Sequence, residues 1–416
     1  MDMKLLNKNV TVMGLGRFGG GLGVTRWLLD QGARVLLTDL ANEDELTKQI
    51  KELGTHTNLQ VVFGKHRMED FVGADVVIAN PAIPMPWKNV FLCAAWEANI
   101  QVTTEIEMLV EQLHREQVIG VTGTSGKSTT ASMLYDGLKN AGITCHLGGN
   151  IGGSLLNSLS KINENDVVVL ELSSAMLWWL NKNTSWSPST AVLTNIEPNH
   201  VDWHGSFEEY KSCKELLFAN QAEGDIAITQ DQNASFTGLI VPGKHNQKNA
   251  AVAFLAGVAI GADPTLLREG IQRFRGLPHR LQLVCDGYYN DSKSTTPKAT
   301  ELAVDAFADA KKIHLIVGGY DKKIDLTLLA AQASRVACMY AIGETANTIV
   351  ELASGNIKQF KNLEQAVAEA TKNMNSEDVL LLSPGCASWD QFVHFEARGE
   401  LFCSLVNESK AHQQVH

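Results

Sequence analysis

Short β-branched runs, each followed by a stretch of helical spacing, recur along the whole chain, and that alternation limits the fold more than any other feature. Asn9–Met13, Arg34–Thr38, Leu59–Phe63 and Ala74–Ala79 come first. Gln117–Thr122, Asp166–Leu172, Thr190–Asn195 and Asp225–Thr229 follow, and His314–Val317, Cys338–Ile342 and Asp378–Leu382 close the series. Strands that are apolar on both faces and separated by helices build parallel sheets with helices on either side. The expected class is therefore α/β. At ~100–200 residues per domain, 416 residues allow two to four domains. Three are expected: 1–104, ending where Thr103-Thr104-Glu105 caps a new helix; 105–276, opening on a fresh strand and glycine-rich loop; and 277–416, beyond the hinge-like Gly276-Leu277-Pro278-His279.

Charge and cysteine usage narrow the function classes. Lys plus Arg number 35 against 46 Asp plus Glu, a formal charge of −11. So acidic a chain is not expected to bind a nucleic-acid backbone. Seven cysteines without a CxxC pair read as unpaired thiols in a reducing compartment. The N-terminal Met-Asp-Met-Lys runs directly into a strand rather than a signal-like apolar core. The longest apolar run, Ala250 to Ala262, is shorter than the ~20 residues of a membrane span and reads as a buried helix. The expectation is a cytoplasmic enzyme with no membrane and no nucleic-acid partner.

The most informative local signal is Val118-Ile-Gly-Val-Thr122, then Gly123-Thr-Ser-Gly-Lys-Ser-Thr129, then a helical run from Thr130 to Lys139. Strand, glycine-rich turn, Lys-Ser and helix together are what a nucleotide phosphate loop requires, because backbone N–H groups and a helix N-terminus then face the anion. Lys127 is placed to lie between the β- and γ-phosphates, and the Ser128 hydroxyl to reach Mg²⁺. The first glycine of the usual longer pattern is replaced by Val121, so this is the short form of the motif.

A second glycine pattern, Gly14-Leu-Gly16-Arg-Phe-Gly19, follows the first strand, and Asp39 ends the second. That is the dinucleotide fingerprint, and it raises a nicotinamide-dependent oxidoreductase as an alternative. The extra glycines 20, 21 and 23 blur the helix start, and a nicotinamide enzyme leaves the other phosphate loop unexplained. A Rossmann-like unit holding a different diphosphate ligand is the better account; Asp39 also has a plain reading as a solvated strand-end acid. Near the presumed phosphate site, Glu171 ends an apolar strand, which suits a Mg²⁺ ligand, or alternatively a partner for the helix-capping Ser173 and Ser174. His200 lies in Ile-Glu-Pro-Asn-His200-Val-Asp-Trp-His-Gly, at the presumed top of the same sheet, where metal or phosphate contacts gather.

Taken together, the segments GVTGTSGKSTT, LGGNIGG, VVLELSS, TNIEPNHVDWHGSFEEYKSCK, PGKHNQKNA, GLPHRLQ, NDSKSTTP, GGYDKK and LLSPGCASWDQFVHFEARG resemble the Mur ligases, the ATP-dependent amide-forming ligases of peptidoglycan precursor synthesis. The resemblance spans residues 105 to about 400 in family order and matches the N-terminal part in outline. It implies a Rossmann-like N-terminal domain for a UDP substrate, a central P-loop ATPase-like domain and a Rossmann-like C-terminal domain for an amino acid. It implies that ATP phosphorylates the carboxylate of UDP-MurNAc-L-Ala and that an amine attacks the acyl phosphate; NDSKSTTP and the last segment point to D-glutamate as the amine. By the same resemblance Gly123, Thr124, Ser125, Gly126, Lys127, Ser128 and Thr129 face the ATP phosphates and Mg²⁺. Glu171 resembles the ligand of one Mg²⁺ and His200 the ligand of a second that bridges phosphate and substrate. Lys214 falls where the family carries a lysine carbamylated by CO₂; read alone, it is an exposed helix lysine. Asn150 is similar to a muramoyl contact. Asn249, Arg280 and Asp291 match positions near adenine, phosphate and ribose, while Lys293, Thr295, Lys322, Ser388 and Phe395 match the D-glutamate pocket. Trp389 and Gln391 are expected to pack around that loop, and Cys386 to be structural. Leu40 and Ala41 follow Asp39 where the family carries an arginine, so Gly16, Arg17 and Phe18 are expected to share the diphosphate contact. A single-chain enzyme is expected. The alternatives are a sister ligase, or a folylpolyglutamate-synthase-like ligase, taking another amino acid; the oxidoreductase; and a nucleotide-gated protein without catalysis.

Overall fold

Val118–Thr122, Val167–Glu171 and Thr190–Leu193 carry apolar residues on both faces, and each is buried inside a parallel sheet with helices packed around it. The structure, a computed structural model, describes residues 5–15, 19–230 and 236–413. Three sheets organise it. The first holds β1 (Asn9–Met13), β2 (Arg34–Asp39), β3 (Leu59–Phe63), β4 (Val76–Ala79) and β5 (Gln101–Thr103), in the order β3-β2-β1-β4-β5 and all parallel. The second holds β6 (Val118–Thr122), β7 (Cys145–Gly149), β8 (Val167–Glu171), β9 (Thr190–Leu193) and β10 (Ile226–Thr229), in the order β10-β9-β6-β8-β7, again all parallel. The third holds β11 (Gln282–Cys285), β12 (Tyr288–Asn290), β13 (Ile313–Gly318), β14 (Cys338–Ile342), β15 (Ile357–Gln359) and β16 (Val379–Leu382), in the order β11-β12-β16-β13-β14-β15.

Contacts group the chain into two compact units. One comprises Met1–Ser235 with Lys248–Ile271 and contains the first two sheets; the other comprises Phe236–Gln247 with Gln272–His416 and contains the third. In the first unit one continuous core runs from Val10, Val12 and Leu37 to Val118, Val168 and Leu170. In the second unit successive residues of a strand enter different cores: Leu315 and Val317 pack on one face of the sheet, Ile316 on the other. That two-sided burial is what a parallel sheet with helices on both faces requires.

Several expectations need correction. The short strands β5, β7, β11, β12 and β15 escape the β-branched pattern, because they are three to five residues long and glycine- or polar-rich. The third sheet is not wholly parallel: β11 and β12 form an antiparallel pair at its edge. The apolar run 250–262 is not one buried helix, since the helix ends at Ala259 and Val258 is exposed. The helix after the phosphate loop starts earlier than Thr130, at Lys127.

In each sheet the chain reverses direction of growth beside a central strand, and in α/β folds ligands bind outside the carboxyl ends of the strands at such switch points. Gly14 and Asn80 follow β1 and β4, the phosphate loop follows β6, and Glu171 ends β8 beside it. In the third sheet, residues 291–295 follow β12, 319–322 follow β13 and 383–388 follow β16, three neighbouring strands that run in the same direction.

Candidate active site

The phosphate loop is shaped by close backbone approaches at two glycines. Gly123 has φ +149°, and a Cβ there would collide with Thr194 Oγ1; Gly126 has φ +82°, and a Cβ would collide with the Asn249 side chain. Only glycine fits both places without strain. The end of β9 clamps the turn between them. Thr124 N–H donates to Asn195 O (2.8 Å), Ser125 N–H to Asn195 Oδ1 (2.9 Å), and Thr194 Oγ1 to Ser125 O (2.6 Å). Gly126 then starts the Lys127–Asn140 helix, whose first N–H groups have no partner within the helix and point towards an incoming anion. Lys127 Nζ lies folded over the loop, donating to Gly123 O and Thr124 O at 3.0 Å each.

A second amine reaches the same carbonyl. The Phe207–Glu215 helix, capped by Ser206, places Tyr210 and Lys214 one turn apart on its buried face. Both are only 1% exposed, which excludes the plain reading of Lys214 as a solvated helix lysine. Lys214 Nζ donates to Gly123 O at 2.7 Å and lies 4.6 Å from the centre of the Tyr210 ring, while Tyr210 Oη donates to Thr124 Oγ1 at 2.9 Å. Burial, and then the like charge of Lys127, pull the Lys214 pKa down to about 7. A large share of this amine is therefore uncharged at neutral pH. Tyr210 also gathers two histidines. His200, exposed and at φ +49°, has its ring 6.0 Å away; His204, buried, has its ring 5.4 Å away and shares a 2.9 Å hydrogen bond with Ser174 Oγ. Burial, followed by His200 and Lys214, depresses the His204 pKa to about 4, so it serves as a neutral imidazole. Sequence reasoning missed Tyr210, Thr194 and Asn195. The signal for Tyr210 was its four-residue spacing from Lys214; for the other pair it was only their place after a central strand.

Glu171 ends β8 at 1% exposure. Its Oε1 accepts from Asn150 Nδ2 (3.0 Å), and its Oε2 is buried without any partner. It does not partner the capping serines: Ser173 caps the next helix through Met176 N–H, and Ser174 Oγ bonds His204. A buried carboxylate oxygen with no donor is costly, and a hard cation is a natural occupant. Among the described residues no three His, Cys, Asp or Glu side chains converge on one metal position. Glu171 and exposed His200 thus do not form a complete cage by themselves. Any ion held here draws on hydroxyls, phosphate oxygens or a modified lysine as well. Thr130 Oγ1, one turn into the loop's helix, is also buried without a partner.

Beside Asn150 a cleft of about 500 Å³ opens between the carboxyl ends of β1 and β4 and the glycine-rich turn after β7, lined among others by Gly14, Asn80, Glu105, Asn150, Ser154 and Ser173. Asp39 stands behind the first loop, with Oδ2 accepting from Leu15 N–H and Oδ1 from Ala41 N–H, each at 2.8 Å. Its carboxylate shapes the turn, and the acid that the oxidoreductase alternative needs for a ribose is already engaged. Gly16, Arg17 and Phe18 lie outside the described residues. Asn249 is buried beneath Gly126 and accepts from Gln230 Nε2.

The second unit holds the remaining candidates. Asp291 is buried after β12; Leu281 N–H (3.1 Å) and Ser383 Oγ (2.8 Å) donate to it, and burial pushes its pKa up to about 6. Arg280 is exposed on the neighbouring turn, between His279 and Leu281, which both have positive φ. Lys293 Nζ lies 5.1 Å from the Phe395 ring centre, and Lys322 Nζ lies 5.5 Å from that of Trp389. Thr295 is half-buried, and Ser388 is buried at the turn that caps Gln391 and Phe392. Trp389 is 63% exposed and lies tilted against the Tyr320 ring, 5.6 Å between centres, while Gln391 donates its side-chain amide to Lys361 O. Burial raises the Cys386 thiol pKa, which suits a structural residue.

A parallel sheet whose middle strand feeds a glycine-rich phosphate loop, flanked by a buried acid and a buried lysine of low pKa, defines a nucleotide-using α/β protein of the phosphate-loop class. Comparison with known proteins resolves which one. Residues 8–104 match the Mur ligase MurD-like N-terminal domain, 121–241 the Mur ligase middle domain, and 279–386 the glutamate ligase domain of Mur ligases. The UDP-N-acetylmuramoylalanine--D-glutamate ligase of Acetivibrio thermocellus is 33% identical over 469 aligned positions, covering 98% of either chain. That span exceeds the 416 residues here, so the relative contains stretches this chain lacks. Two Thermotoga maritima structures share the fold: UDP-N-acetylmuramate-alanine ligase MurC (18% identity, TM-score 0.58, covering 97% of this chain and 100% of that one) and MurF ligase in complex with ADP (15%, TM-score 0.55, covering 98% and 100%). The chain belongs to the Mur ligase family.

Proposed function

We propose that the chain joins UDP-N-acetylmuramoyl-L-alanine to D-glutamate, driven by ATP, as a step in making peptidoglycan precursors. Its relatives carry that activity in their names over the full length of the alignment. A carboxylate is a poor electrophile, so a carboxylate oxygen first attacks the γ-phosphorus and displaces ADP. The amine nitrogen of D-glutamate then attacks the acyl carbon, and the tetrahedral adduct expels phosphate and loses a proton to leave the amide. Such chemistry needs positioning and charge neutralisation more than covalent help.

The single observation that carries the reading is the Gly123 carbonyl, which holds both the Lys127 and the Lys214 amines at the phosphate loop. When ATP binds, Lys127 exchanges its loop carbonyls for phosphate oxygens, and Thr124, Ser125, Ser128 and Thr129 line the loop with hydroxyls. Lys214, uncharged in part, is prepared to take up CO₂ and become an anionic carbamate. Glu171, with its orphan oxygen, Ser128, His200 and carbamylated Lys214 would hold Mg²⁺ at two sites, and the metal would supply charge neutralisation on the phosphates. Asp39 shapes the first loop of the UDP-substrate cleft, and Asn150 orients Glu171 from the cleft's other wall. Asn249, Arg280 and Asp291 serve the nucleotide; Lys293, Thr295, Lys322, Ser388 and Phe395 serve D-glutamate, for which two ammonium groups and two hydroxyls suit a dicarboxylate. No helix among the described residues is long and apolar enough to cross a membrane, and we place the reaction in the cytoplasm, on a single chain.

The test is ADP release on UDP-N-acetylmuramoyl-L-alanine with D-glutamate, L-glutamate, L-lysine or no acceptor. The expected result is turnover with D-glutamate alone and a product heavier by one glutamyl unit. Equal turnover with another amino acid would move the chain to a sister ligase, and no acceptor dependence at all would end the reading.

A further inference from the structure

Arg398 is the largest charged side chain sealed inside the second unit. It is 1% exposed, lies in the first turn of the Phe395–Gln413 helix, and forms no ion pair among the described residues. A buried guanidinium without an ion-pair partner is expensive, the positive end of a helix makes it more so, and the Asp390 carboxylate acts on it only from beyond ion-pair distance. What it has instead is four hydrogen bonds to neutral acceptors. Nε donates to Ser292 Oγ (3.0 Å), Nη2 to Ser292 O (2.9 Å) and Cys386 O (3.2 Å), and Nη1 to Ala387 O (3.2 Å). The network continues one bond further: Ser292 Oγ donates to Phe395 O (2.7 Å), and Ala387 O also accepts from Tyr320 N–H (2.9 Å). A Cβ at Gly319 would collide with Ala387 O, so the chain there must approach the same carbonyl closely.

Each tied atom sits on, or within two residues of, a residue placed at the amino-acid pocket. Ser292 precedes Lys293, Ala387 precedes Ser388, Phe395 is itself in the set, and Tyr320 lies two residues before Lys322. These segments are far apart in sequence, yet one planar fork bonds two of them directly, at Ser292 and at Cys386–Ala387, and reaches the Tyr320 and Phe395 segments through one further bond each. We infer that Arg398 is the positioning residue of the amino-acid pocket: by holding the backbone at Ser292, Cys386 and Ala387 it sets the geometry of the adjoining Lys293 and Ser388, and one bond further that of Phe395 and the Tyr320–Lys322 segment, without touching the substrate. The inference rests on the proposed D-glutamate reading. Lysine cannot replace this arginine, because a single ammonium does not reproduce a planar set of directed donors.

The experiment measures KM for D-glutamate, ATP and UDP-N-acetylmuramoyl-L-alanine, together with kcat, in full-length Arg398→Lys and Ser292→Ala. Ser292→Ala strips two bonds from the network and keeps the charge. The expected result is a rise in KM for D-glutamate of about tenfold in Ser292→Ala and more in Arg398→Lys, with the other two KM values within about twofold of the parent. An unchanged KM for D-glutamate in folded variants overturns the inference, and so does an equal rise in all three constants, which a merely structural role would give. Should Arg398→Lys not fold, Ser292→Ala decides alone. A parent enzyme that shows no D-glutamate dependence would instead sink the functional reading, so the two failures are distinguishable.

Discussion

The two proposed ligand sites are built in opposite ways. At the phosphate loop, seven consecutive residues supply most of the chemistry, and the rest of the first unit holds them by short hydrogen bonds from Thr194, Asn195 and Tyr210. In the second unit no segment suffices. The residues assigned to D-glutamate come from the ends of β12, β13 and β16 and from the start of the last helix, and one buried arginine ties them together. A contiguous motif can be recognised wherever it occurs, because its geometry is local. A pocket assembled from distant strand ends has no local signature and depends on the sheet being right. Damage should differ accordingly: changes at the loop should remove turnover, and changes around Arg398 should weaken one substrate.

Lys127→Ala is the strongest way to break this contrast. Removing the ammonium that neutralises transferring phosphate should lower kcat by about 10²–10³-fold or more while the fold survives, since Lys127 is half-exposed and its side chain donates to carbonyls of its own loop. Rapid-quench assays and circular dichroism read both parts. A variant with near-normal kcat removes Lys127 from the phosphate role.

Removal of CO₂ tests Lys214 without a substitution. Because its amine is buried, pulled down to about 7, hydrogen-bonded to Gly123 O and set over the Tyr210 ring, it is poised to form a carbamate. Assays in CO₂-stripped buffer should lose activity by about tenfold and recover on adding bicarbonate, whereas Lys214→Arg should be insensitive to both and nearly inactive. Activity indifferent to CO₂ in the parent would mean that Lys214 acts unmodified.

Much of this was legible in the sequence, and unevenly so. The phosphate loop was, because strand, glycines, Lys-Ser and helix are adjacent along the chain. The central β-branched strands were, because Val10–Met13, Val118–Thr122, Val168–Glu171 and Ile313–Gly318 bury both faces. The edge pair β11–β12 was not: Gln282–Cys285 and Tyr288–Asn290 are short, mixed in polarity and joined by a tight turn, so no periodicity develops. Lys214 read alone looked solvated, since Phe207–Glu215 is a charged helix, and only the tertiary position of its Tyr210–Lys214 face buries the amine. Asp39 could be read as a ribose ligand or a solvated strand-end acid, because sequence shows its place at the end of β2 but not that two backbone N–H groups donate to it. Arg398 gave no signal, since nothing in the sequence distinguishes a buried arginine from a surface one.

Tyr210→Phe sharpens the comparison at smaller scale. The phenol oxygen donates to Thr124 Oγ1 inside the loop, and its ring stays as the platform for Lys214. Losing one such bond is worth about 1 kcal/mol, so kcat should fall about fivefold with little change in KM for D-glutamate. A drop in D-glutamate affinity instead would mean that the two sites are not as separate as their construction implies.

The smallest effect concerns stability. Glu105 and Glu107 are buried in the short helix that follows the first sheet, and burial raises both pKa values to about 7. Ser154 donates to Glu105; Thr103, Thr104 and Asn183 donate to Glu107. A carboxyl that holds its proton more tightly when folded than when unfolded adds stability that is complete below the unfolded pKa, near 4.5, and is lost as pH rises through 7. For Glu107 the span of about 2.5 units corresponds to at most about 3 kcal/mol between pH 4.5 and 8. Glu107→Gln keeps the shape, carries no proton to lose, and lets the threonine hydroxyls turn to accept. Urea titrations of the first unit's transition should therefore show the parent falling across this window and the variant nearly flat, with the two meeting at the acid end. Parallel curves would mean that Glu107 is already ionised when folded and that its hydrogen bonds outweigh burial.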